Sequence, residues 1–596
     1  MTDDRGRSQE NGPTGSRSSS EGDEWVKQLS GLCGPGAGLR HVDIPMAEID
    51  SMFDSIFAPA DEPAGNALSP HARNPIRLYG SNEDILDAYY IFIHPYFPIL
   101  PAPVRLPVYS RPQPRRVSPV HLSNGLALAI AAILVLIPHP DENDAHRAEY
   151  VRVRRDFAHC FAKSALEAIE SEYEPLRGCE DPSNPSAEGV RVFDREPFHP
   201  KVPPSIEGVI ALSILSVYEY AQRGNMNEML HRANQALALA MSLSLHETMD
   251  EDEFAEARRR TWWMTVCTPV AVSGMRLMAT QYMTVCQGLA VSNTPPSFDL
   301  YDPWFVTPFP EGWKLLVEAQ QAILESATFA RDLDDTIKTQ ADPAWISPRM
   351  AALDSQIASL LLACREAPPV SQMAPSSGSP EYVASTTMRA FAEIKLHTAR
   401  IKIHRLCAFQ DLTNAPTSQT GGPDRPIPPP IDARAPSSPS DINLDPMPAP
   451  DVSVPSGVRG LRFPFAADVS SKICLHAALN TVTLLDNLPY PNPAHETARR
   501  AQTARLELPR TMPTLVCCAM QAGYALLMLC LKARGFQETE AGVDGLRAPS
   551  LAGFRSDVQQ SLRLVVKLVG NYALAFEALQ GIRDELAQAI DREFFK

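Results

Sequence analysis

The chain has 596 residues, more than one compact core normally holds, so we expect two or more folding units. Its 54 basic and 70 acidic residues give a net charge of -16, which disfavours broad electrostatic binding of a phosphate backbone. The 11 cysteines include no CxxC pair, and Cys517 and Cys518 are simply adjacent. We therefore expect reduced, mostly buried thiols in an intracellular protein.

Residues 1–78 are predicted to form a disordered arm, because residues 1–42 are rich in Ser, Gly and charged side chains. Within the arm, residues 43–62 mix acidic and bulky apolar side chains. The apolar ones at helical spacing are Met46, Ile49, Phe53, Ile56 and Phe57. Such a segment can fold into a partner's groove, so these residues are candidate contacts with a transcriptional coactivator. The alternative is a helix packed on the chain's own core.

From residue 79 the hydrophobic pattern becomes helical, and segments of alternating β-type pattern are scarce. The predicted helices are 82–94, 119–137, 145–174, 205–222, 227–245, 253–268 and 312–338. The most apolar run, residues 126–137, is too short to span a bilayer, which favours a buried helix in a soluble protein. Residues 79–365 are thus predicted to form one helical domain.

The remaining chain alternates between proline-rich and helical stretches. Residues 366–381 predict a linker, and residues 382–414 predict a helix that continues the preceding domain. Residues 415–465 predict a disordered loop, because they are rich in Pro, Ser and Asp. Residues 466–596 predict a C-terminal helical region that contains the buried helix LVCCAMQAGYALLMLCLKA. The predicted fold class is all-α: a large multi-helix domain with a disordered N-terminal arm and a Pro-rich internal loop.

The stretch EARRRTWWM (256–264) can be a basic patch or a buried helix. Residues four apart face each other on a helix, so two arginines can stack on the two tryptophans, and Glu256 can pair with Arg260. Between Asp250 and Arg276, five acidic residues offset four arginines. The pattern therefore favours a structural helix with cation–π contacts and ion pairs over a phosphate-binding face.

Three stretches carry a resemblance to a known family. Residues 231–263 contain a helix ending in Leu-His, an acidic loop and then Glu-x-Arg-Arg-Arg-x-Trp-Trp; the matching positions are Leu245, His246, Glu256, Arg258, Arg259, Arg260, Trp262 and Trp263. YYIFIHPYFPIL (89–100) and KLHTARIKIHRLCAFQD (395–411) are the other two stretches. Together they resemble the fungal-specific transcription factor regulatory domain, or middle homology region, of the zinc binuclear cluster family.

The resemblance implies a transcription regulator of RNA polymerase II genes in the nucleus, with metabolic or secondary-metabolite pathways among the expected targets. Family members commonly carry an N-terminal DNA-binding module of six cysteines and two zinc ions. Here Cys33 is the only cysteine before Cys160, so no cofactor is expected in this chain. Zinc is expected only if a cysteine cluster is encoded outside this sequence. Pro269 stands where the family often has Asp-Arg, and it predicts a broken or kinked helix.

Two hypotheses for the contact with DNA stay open. The regulator binds DNA directly if the missing module exists, or it is a coregulator that a partner regulator recruits. The expected partners are therefore a transcriptional coactivator or a partner regulator, with a homodimer as a further option. No contact with a membrane is expected.

An enzyme is the least favoured alternative. His246 lacks a second histidine four residues on, and His397 and His404 lie seven apart on one predicted helix. Asp334 and Asp335 are not followed by a third acid at the offset of an aspartate-rich metal box. The sequence contains no P-loop, no GxGxxG and no GxSxG. We expect no enzymatic activity, no catalytic residue and no metal ligand.

Overall fold

The computed structural model describes residues 77, 79, 81–108, 124–138, 147–173, 195–247, 252–272, 296, 311–366, 379–413, 461–491, 508–540 and 552–594. Of this part, 77% is helical; it contains 13 α-helices and no strand, which confirms the all-α prediction. The helices are α1 (Asn82–Phe92), α2 (Gly125–Leu134), α3 (Ala148–Tyr173), α4 (Pro204–Ala221), α5 (Met226–Ser242), α6 (Ala255–Val272), α7 (Glu311–Thr339), α8 (Ile346–Glu366), α9 (Pro380–Thr413), α10 (Ala467–Asp486), α11 (Val516–Glu540), α12 (Ala552–Ala573) and α13 (Ala578–Phe594).

Local capping signals set the starts of several helices. The Ser81 hydroxyl accepts a hydrogen bond from the backbone of Asp84 at 3.2 Å, and α1 begins at the next residue. The side chain of Asn124 accepts hydrogen bonds from two backbone N–H groups in the first turn of α2. Ser379 caps α9 in the same way, with Pro380 as the first helical residue. Such caps satisfy backbone donors that have no partner within the helix.

Two helices differ from their sequence-based expectation. α6 continues through Pro269 to Val272, so this proline does not end the helix. A proline there still removes its own N–H bond to the carbonyl four residues earlier, so a kink at this position stays a prediction. No helix was predicted at α8, although its buried residues recur at helical spacing: Ile346, Met350, Leu353, Ile357, Leu361 and Cys364. The periodic signal was present there and was missed.

One large hydrophobic core draws on every helix except α8. The C-terminal helices share this core with the N-terminal ones, so they do not form a separate folding unit. Polar contacts join the two halves as well: the Thr511 hydroxyl donates to the carbonyl of Phe92, and the Tyr96 hydroxyl donates to the carbonyl of Pro489 at 2.5 Å. Buried and partly buried hydrogen bonds of this kind between distant segments hold the packing in one arrangement.

A second, smaller core lies between α7, α8 and α9. Phe329, Met350 and Leu396 belong to it, whereas Ile394 and Phe409 of α9 belong to the large core. α9, which is 34 residues long, therefore packs on both cores and connects them. Any change in the position of α9 must disturb packing on both sides, because protein interiors are close-packed.

The end of the predicted proline-rich loop packs on the second core. Leu461, Phe463 and Phe465 are partly buried against it, so residues 461–465 belong to the folded part rather than to the loop. The thiol of Cys407 donates to the carbonyl of Phe465 at 3.3 Å. Residues 461–465 have apolar side chains at alternate positions, and these side chains make the packing possible. The earlier part of the predicted loop is dominated by Pro and Ser and offers few apolar side chains to bury. Residues 415–460 lie outside the described part.

Two apolar helices lie inside the fold, as their sequences predict. All ten residues of α2 are buried. In the described part of the chain, only Val516–Arg534 of α11 is long and apolar enough to cross a bilayer, and 83% of that window is buried within the fold. The core helix of a soluble protein passes the same test of length and composition, so burial favours a core role for α11.

Replacing two helical glycines, Gly208 and Gly581, by alanine should change the free energy of unfolding in opposite directions. A Cβ on Gly208 in α4 would stand 2.6 Å from the Tyr173 ring, whose hydroxyl donates to Ser205 at 2.9 Å. We expect Gly208→Ala to destabilise the chain by about 1–3 kcal/mol. Gly581 in α13 has open space around the new Cβ, and Gly581→Ala should stabilise it by about 0.5–1 kcal/mol. Urea unfolding of the full chain measures both, and shifts of equal sign would contradict this packing.

Candidate functional site

A buried charge network connects α1, α6 and α9. Arg260 of α6 donates to both carboxylate oxygens of Glu381 in α9, at 2.7 and 3.0 Å. His94, just after α1, lies 2.8 Å from Glu381 through Nε2. Glu256 accepts from Nε of Arg260 at 2.8 Å, which is the ion pair predicted from their spacing. We call Arg260, Glu381, His94 and Glu256 the Arg260 cluster; the side chains of its first three members are at most 4% exposed.

Opposing electrostatic effects set the charges in this cluster. Burial raises the pKa of Glu381, but the charge of Arg260 and hydrogen bonds from His94 and Arg260 outweigh it and lower the pKa to about 2. Burial lowers the pKa of His94, and Glu381 only partly opposes this. At neutral pH the cluster therefore holds a charged Arg260–Glu381 pair beside a neutral histidine. A neutral His94 donates from Nε2 to Glu381, which leaves Nδ1 without a hydrogen-bond partner.

Low pH should destabilise the fold, because it protonates the buried carboxylate of Glu381. The folded pKa of Glu381 lies below its ordinary value, so its contribution to stability is complete above about pH 5 and is lost as the pH falls toward 2. We expect the free energy of unfolding to fall over this window, and to fall less steeply in Glu381→Gln. Asp334→Asn, in an exposed pair with Lys338, should keep the wild-type slope. Urea unfolding at several pH values tests this, and an unchanged slope in Glu381→Gln would refute it.

Two of the three resembling stretches meet at the Arg260 cluster. Arg260 also donates to the carbonyl of Leu100 at 2.9 Å, so the stretch 256–263 contacts the stretch 89–100 directly. Two tyrosines hold that carbonyl in place: the Tyr89 hydroxyl donates to Phe97 at 2.8 Å and accepts from the backbone of Leu100 at 3.2 Å. The Tyr90 hydroxyl donates to the carbonyl of the next residue, Pro101, at 2.5 Å. The aromatic pair therefore shapes the loop that receives Arg260.

The third stretch forms a buried polar link of its own. His404 of α9 lies 3.2 Å from Asp354 in α8 through Nε2, and 3.1 Å from the Ser470 hydroxyl in α10 through Nδ1. Arg400 donates to the same aspartate at 2.8 Å. Burial raises the pKa of Asp354, but hydrogen bonds from His404 and Arg400 lower it to about 2. This link ties α8, α9 and α10 together.

A Ser-His-Asp chain of hydrogen bonds can also belong to a hydrolase, in which the serine must reach a substrate. Ser470 is fully buried, and His404 is enclosed by Phe465, whose ring centroid lies 4.9 Å away. Among the described residues, both Ser470 and His404 are fully buried, so neither side chain is open to a substrate. The arrangement therefore fits a structural connection between helices better than a nucleophile.

Six of the eight predicted motif residues lie on α6, and the other two, Leu245 and His246, precede it in the chain. Trp262, Trp263 and Leu245 are buried, as predicted for a helix covered over a wide arc. The ring of His246 lies 5.8 Å from that of Trp262, which connects the Leu-His pair to the tryptophans. The eight motif positions thus lie close together although they span residues 245–263.

Each arginine of the motif has a carboxylate partner. Arg258 pairs with Asp252 at 2.5 Å and Arg259 pairs with Glu256 at 3.4 Å, in addition to the pairs made by Arg260. Carboxylates that neutralise guanidinium groups compete with phosphate for them. The contacts therefore favour the structural interpretation of EARRRTWWM over a phosphate-binding face.

Other predicted sites stay predictions. The candidate coactivator contacts Met46, Ile49, Phe53, Ile56 and Phe57 lie outside the described residues. Within the described part of the chain, no group of three or more His, Cys, Asp or Glu side chains is placed to hold a metal ion.

Sequence reasoning predicted the pair of Arg260 with Glu256 but missed Glu381 and His94. Glu381 carries a helix-start signal, because it follows Ser379-Pro380, and an acidic residue in a first turn is ordinarily explained by the helix dipole. His94 lies inside the quoted stretch 89–100 but was not singled out. A buried acid 121 residues from its arginine leaves no local signature.

Two adjacent thiols form a further chemical feature of the fold. Cys517 and Cys518 stand in the first turn of α11 with their sulfurs 4.0 Å apart. A hydrogen bond from Cys517, together with Thr398 and the charges of Lys395 and Lys402, lowers the pKa of Cys518 to about 7 against the effect of burial. The same hydrogen bond raises the pKa of Cys517. When the pair loses one proton, the negative charge therefore lies mainly on the sulfur of Cys518 rather than on that of Cys517.

Comparison of the chain with protein-family models, with curated proteins and with solved structures gives no match. The resemblance of the three stretches therefore depends on the residues quoted for it. Function must be argued from the residues and their geometry, because an all-α fold by itself implies no activity.

Proposed function

We propose that this chain is a fungal-type transcription regulator that acts on RNA polymerase II genes in the nucleus. Its helical domain would hold or release the acidic-hydrophobic segment 43–62, or bind a partner, and so set transcriptional output. One observation carries the proposal: the resembling stretches are parts of one scaffold. Arg260 contacts both Leu100 and Glu381, and Glu381 begins α9, the helix that contains the third stretch, 395–411.

The contacts that connect the three stretches support the proposal, because the stretches are far apart in sequence. Short motifs match by chance, and chance matches have no reason to contact one another in the fold. Here the arginine of one stretch donates to the backbone of another through a fully buried side chain. These contacts stabilise the fold. They therefore support the assignment to a regulatory domain, but they indicate neither a target DNA sequence nor an effector.

Chromatin association of the tagged full chain tests the proposal. We expect nuclear localisation and enrichment at a set of promoters after cross-linking. The tag alone supplies the background for both measurements. A chain that stays outside the nucleus, or that shows only the tag's background on chromatin, would refute the proposal and reopen the enzyme alternative.

The role of segment 43–62 has its own test. The full chain is tethered to a heterologous DNA-binding domain, and transcription of a reporter is measured. Phe53→Ala should reduce the output if this apolar face contacts a coactivator, whereas Ser51→Ala, in the same segment but off that face, should not. If Phe53→Ala raises the output instead, the segment restrains the domain. An output that neither substitution changes would refute a role for this face.

A coregulator without DNA contact is the second candidate. The ion pairs of Arg258, Arg259 and Arg260 favour it, because they occupy all three guanidinium groups of the motif. If the purified chain fails to bind DNA fragments that it occupies on chromatin, a partner recruits it. Direct binding with an affinity that falls steeply with salt would indicate phosphate contacts and would refute this candidate.

A further inference from the structure

The thiols of Cys517 and Cys518 meet positive charges where α11 crosses α9. Cys518 is buried, whereas Cys517 is partly exposed, so one edge of the pair reaches the surface. Thr398, Lys395 and Lys402, all on α9, lower the pKa of the Cys518 thiol. Two soft donors 4.0 Å apart, one of them partly exposed, therefore lie where the electrostatic effect of α9 favours negative charge.

We propose that Cys517 and Cys518 form a two-thiolate binding site for a soft monovalent metal ion of the copper(I) class. Soft thiolate ligands select such ions over hard cations. Binding forms two sulfur–metal bonds, releases to solvent whatever protons the two thiols still carry, and leaves the oxidation state of sulfur and metal unchanged. The proposal is independent of the role in transcription, because it depends only on this pair and its neighbours.

The distance between the sulfurs favours a bridging ion over a disulfide. Metal–thiolate bonds of about 2.3 Å can hold two sulfurs up to about 4.6 Å apart. The observed 4.0 Å lies within that limit. A disulfide needs about 2.05 Å, so the sulfurs would have to approach by about 2 Å inside a helical turn. Backbone hydrogen bonds from Cys518 and Ala519 to Leu515, at 3.0 and 3.1 Å, oppose that distortion.

The charge of the site favours a monovalent ion. Two thiolates and one monovalent cation leave a net charge of minus one, which Lys395 and Lys402 stabilise. A divalent ion such as zinc normally takes four protein ligands in a structural site. Among the described residues, the two sulfurs have no third His, Cys, Asp or Glu arranged with them as a metal-binding group. A low coordination number is typical of soft monovalent ions and fits this geometry.

Copper(I) titration of the reduced full chain under anaerobic conditions tests the proposal. A chromogenic copper(I) chelator competes for the metal and reports the bound fraction. We expect the Cys517→Ser/Cys518→Ser double variant to bind one copper ion fewer than the wild type. Cys530→Ser, buried in the same helix, and Cys160→Ser, exposed on α3, should bind as the wild type does. X-ray absorption should report two sulfur neighbours for the copper ion that the double variant loses.

Equal copper uptake by wild type and double variant would overturn the proposal. So would a wild-type chain that binds no copper at these residues and instead forms a disulfide under dilute hydrogen peroxide, detected as a peptide lighter by two hydrogen atoms. Circular dichroism checks that the double variant is folded. If it is not, Cys517→Ser at the partly exposed position decides the question: loss of one copper ion supports the site, and full retention refutes it.

Discussion

Replacing Arg260 by methionine should lower the free energy of unfolding by about 3–5 kcal/mol. Methionine fills much of the same volume, so the loss comes from electrostatics rather than from a cavity. It leaves the buried carboxylate of Glu381 without its guanidinium partner, and it leaves the carbonyl of Leu100 without its donor. A buried charge deprived of its partner costs far more than the pair contributes. Urea unfolding of the full chain, followed by circular dichroism, measures the change.

A second substitution separates the charge effect from general disruption. Combining Arg260→Met with Glu381→Gln should recover part of the lost stability, because the buried carboxylate that Arg260 neutralised is then also removed. Lys338→Ala, which removes an exposed ion pair with Asp334, should change stability by at most about 0.5 kcal/mol. The interpretation fails if Arg260→Met costs no more than Lys338→Ala, or if the two core substitutions are simply additive.

Replacing Arg510 by methionine should cost about 3 kcal/mol. This arginine is 1% exposed and covers the C-terminal end of α10. Its guanidinium donates to the carbonyls of Leu485 and Asp486 at 3.0 Å each, and to that of Leu488 at 2.5 Å. A helix C-terminus carries unsatisfied carbonyls and partial negative charge, so a cation there has a large effect when it is buried. The Tyr490 ring, 4.0 Å from the guanidinium carbon, adds a cation–π contact.

Lysine at position 510 is the matched control for this prediction. Arg510→Lys keeps the positive charge, but one ammonium group cannot reach three carbonyls with the planar geometry of a guanidinium. We expect a loss between those of wild type and Arg510→Met, measured by the same urea unfolding. Full recovery with lysine would mean that charge alone matters. No loss with methionine would refute the capping role.

The sequence by itself determined the local structure. Continuous apolar runs located α2 and α11, because a helix that is apolar on every side is buried inside a fold. The sequence also predicted the Glu256–Arg260 pair, since residues four apart on a helix face each other. The same reasoning missed α8, where the signal was present. The predicted break at Pro269 was wrong, because α6 continues to Val272, whereas the alternative of a kink there stays a prediction.

Only the tertiary structure decided which charges are buried. Three consecutive arginines look alike in the sequence, yet Arg260 alone among them is fully buried, and it pairs with Glu381 across 121 residues. His94 reaches the same carboxylate from 287 residues away. Such contacts depend on how α6 and α9 pack and rotate against each other. Local periodicity determines which face of a helix is apolar, but the packing of the other helices determines what that face meets.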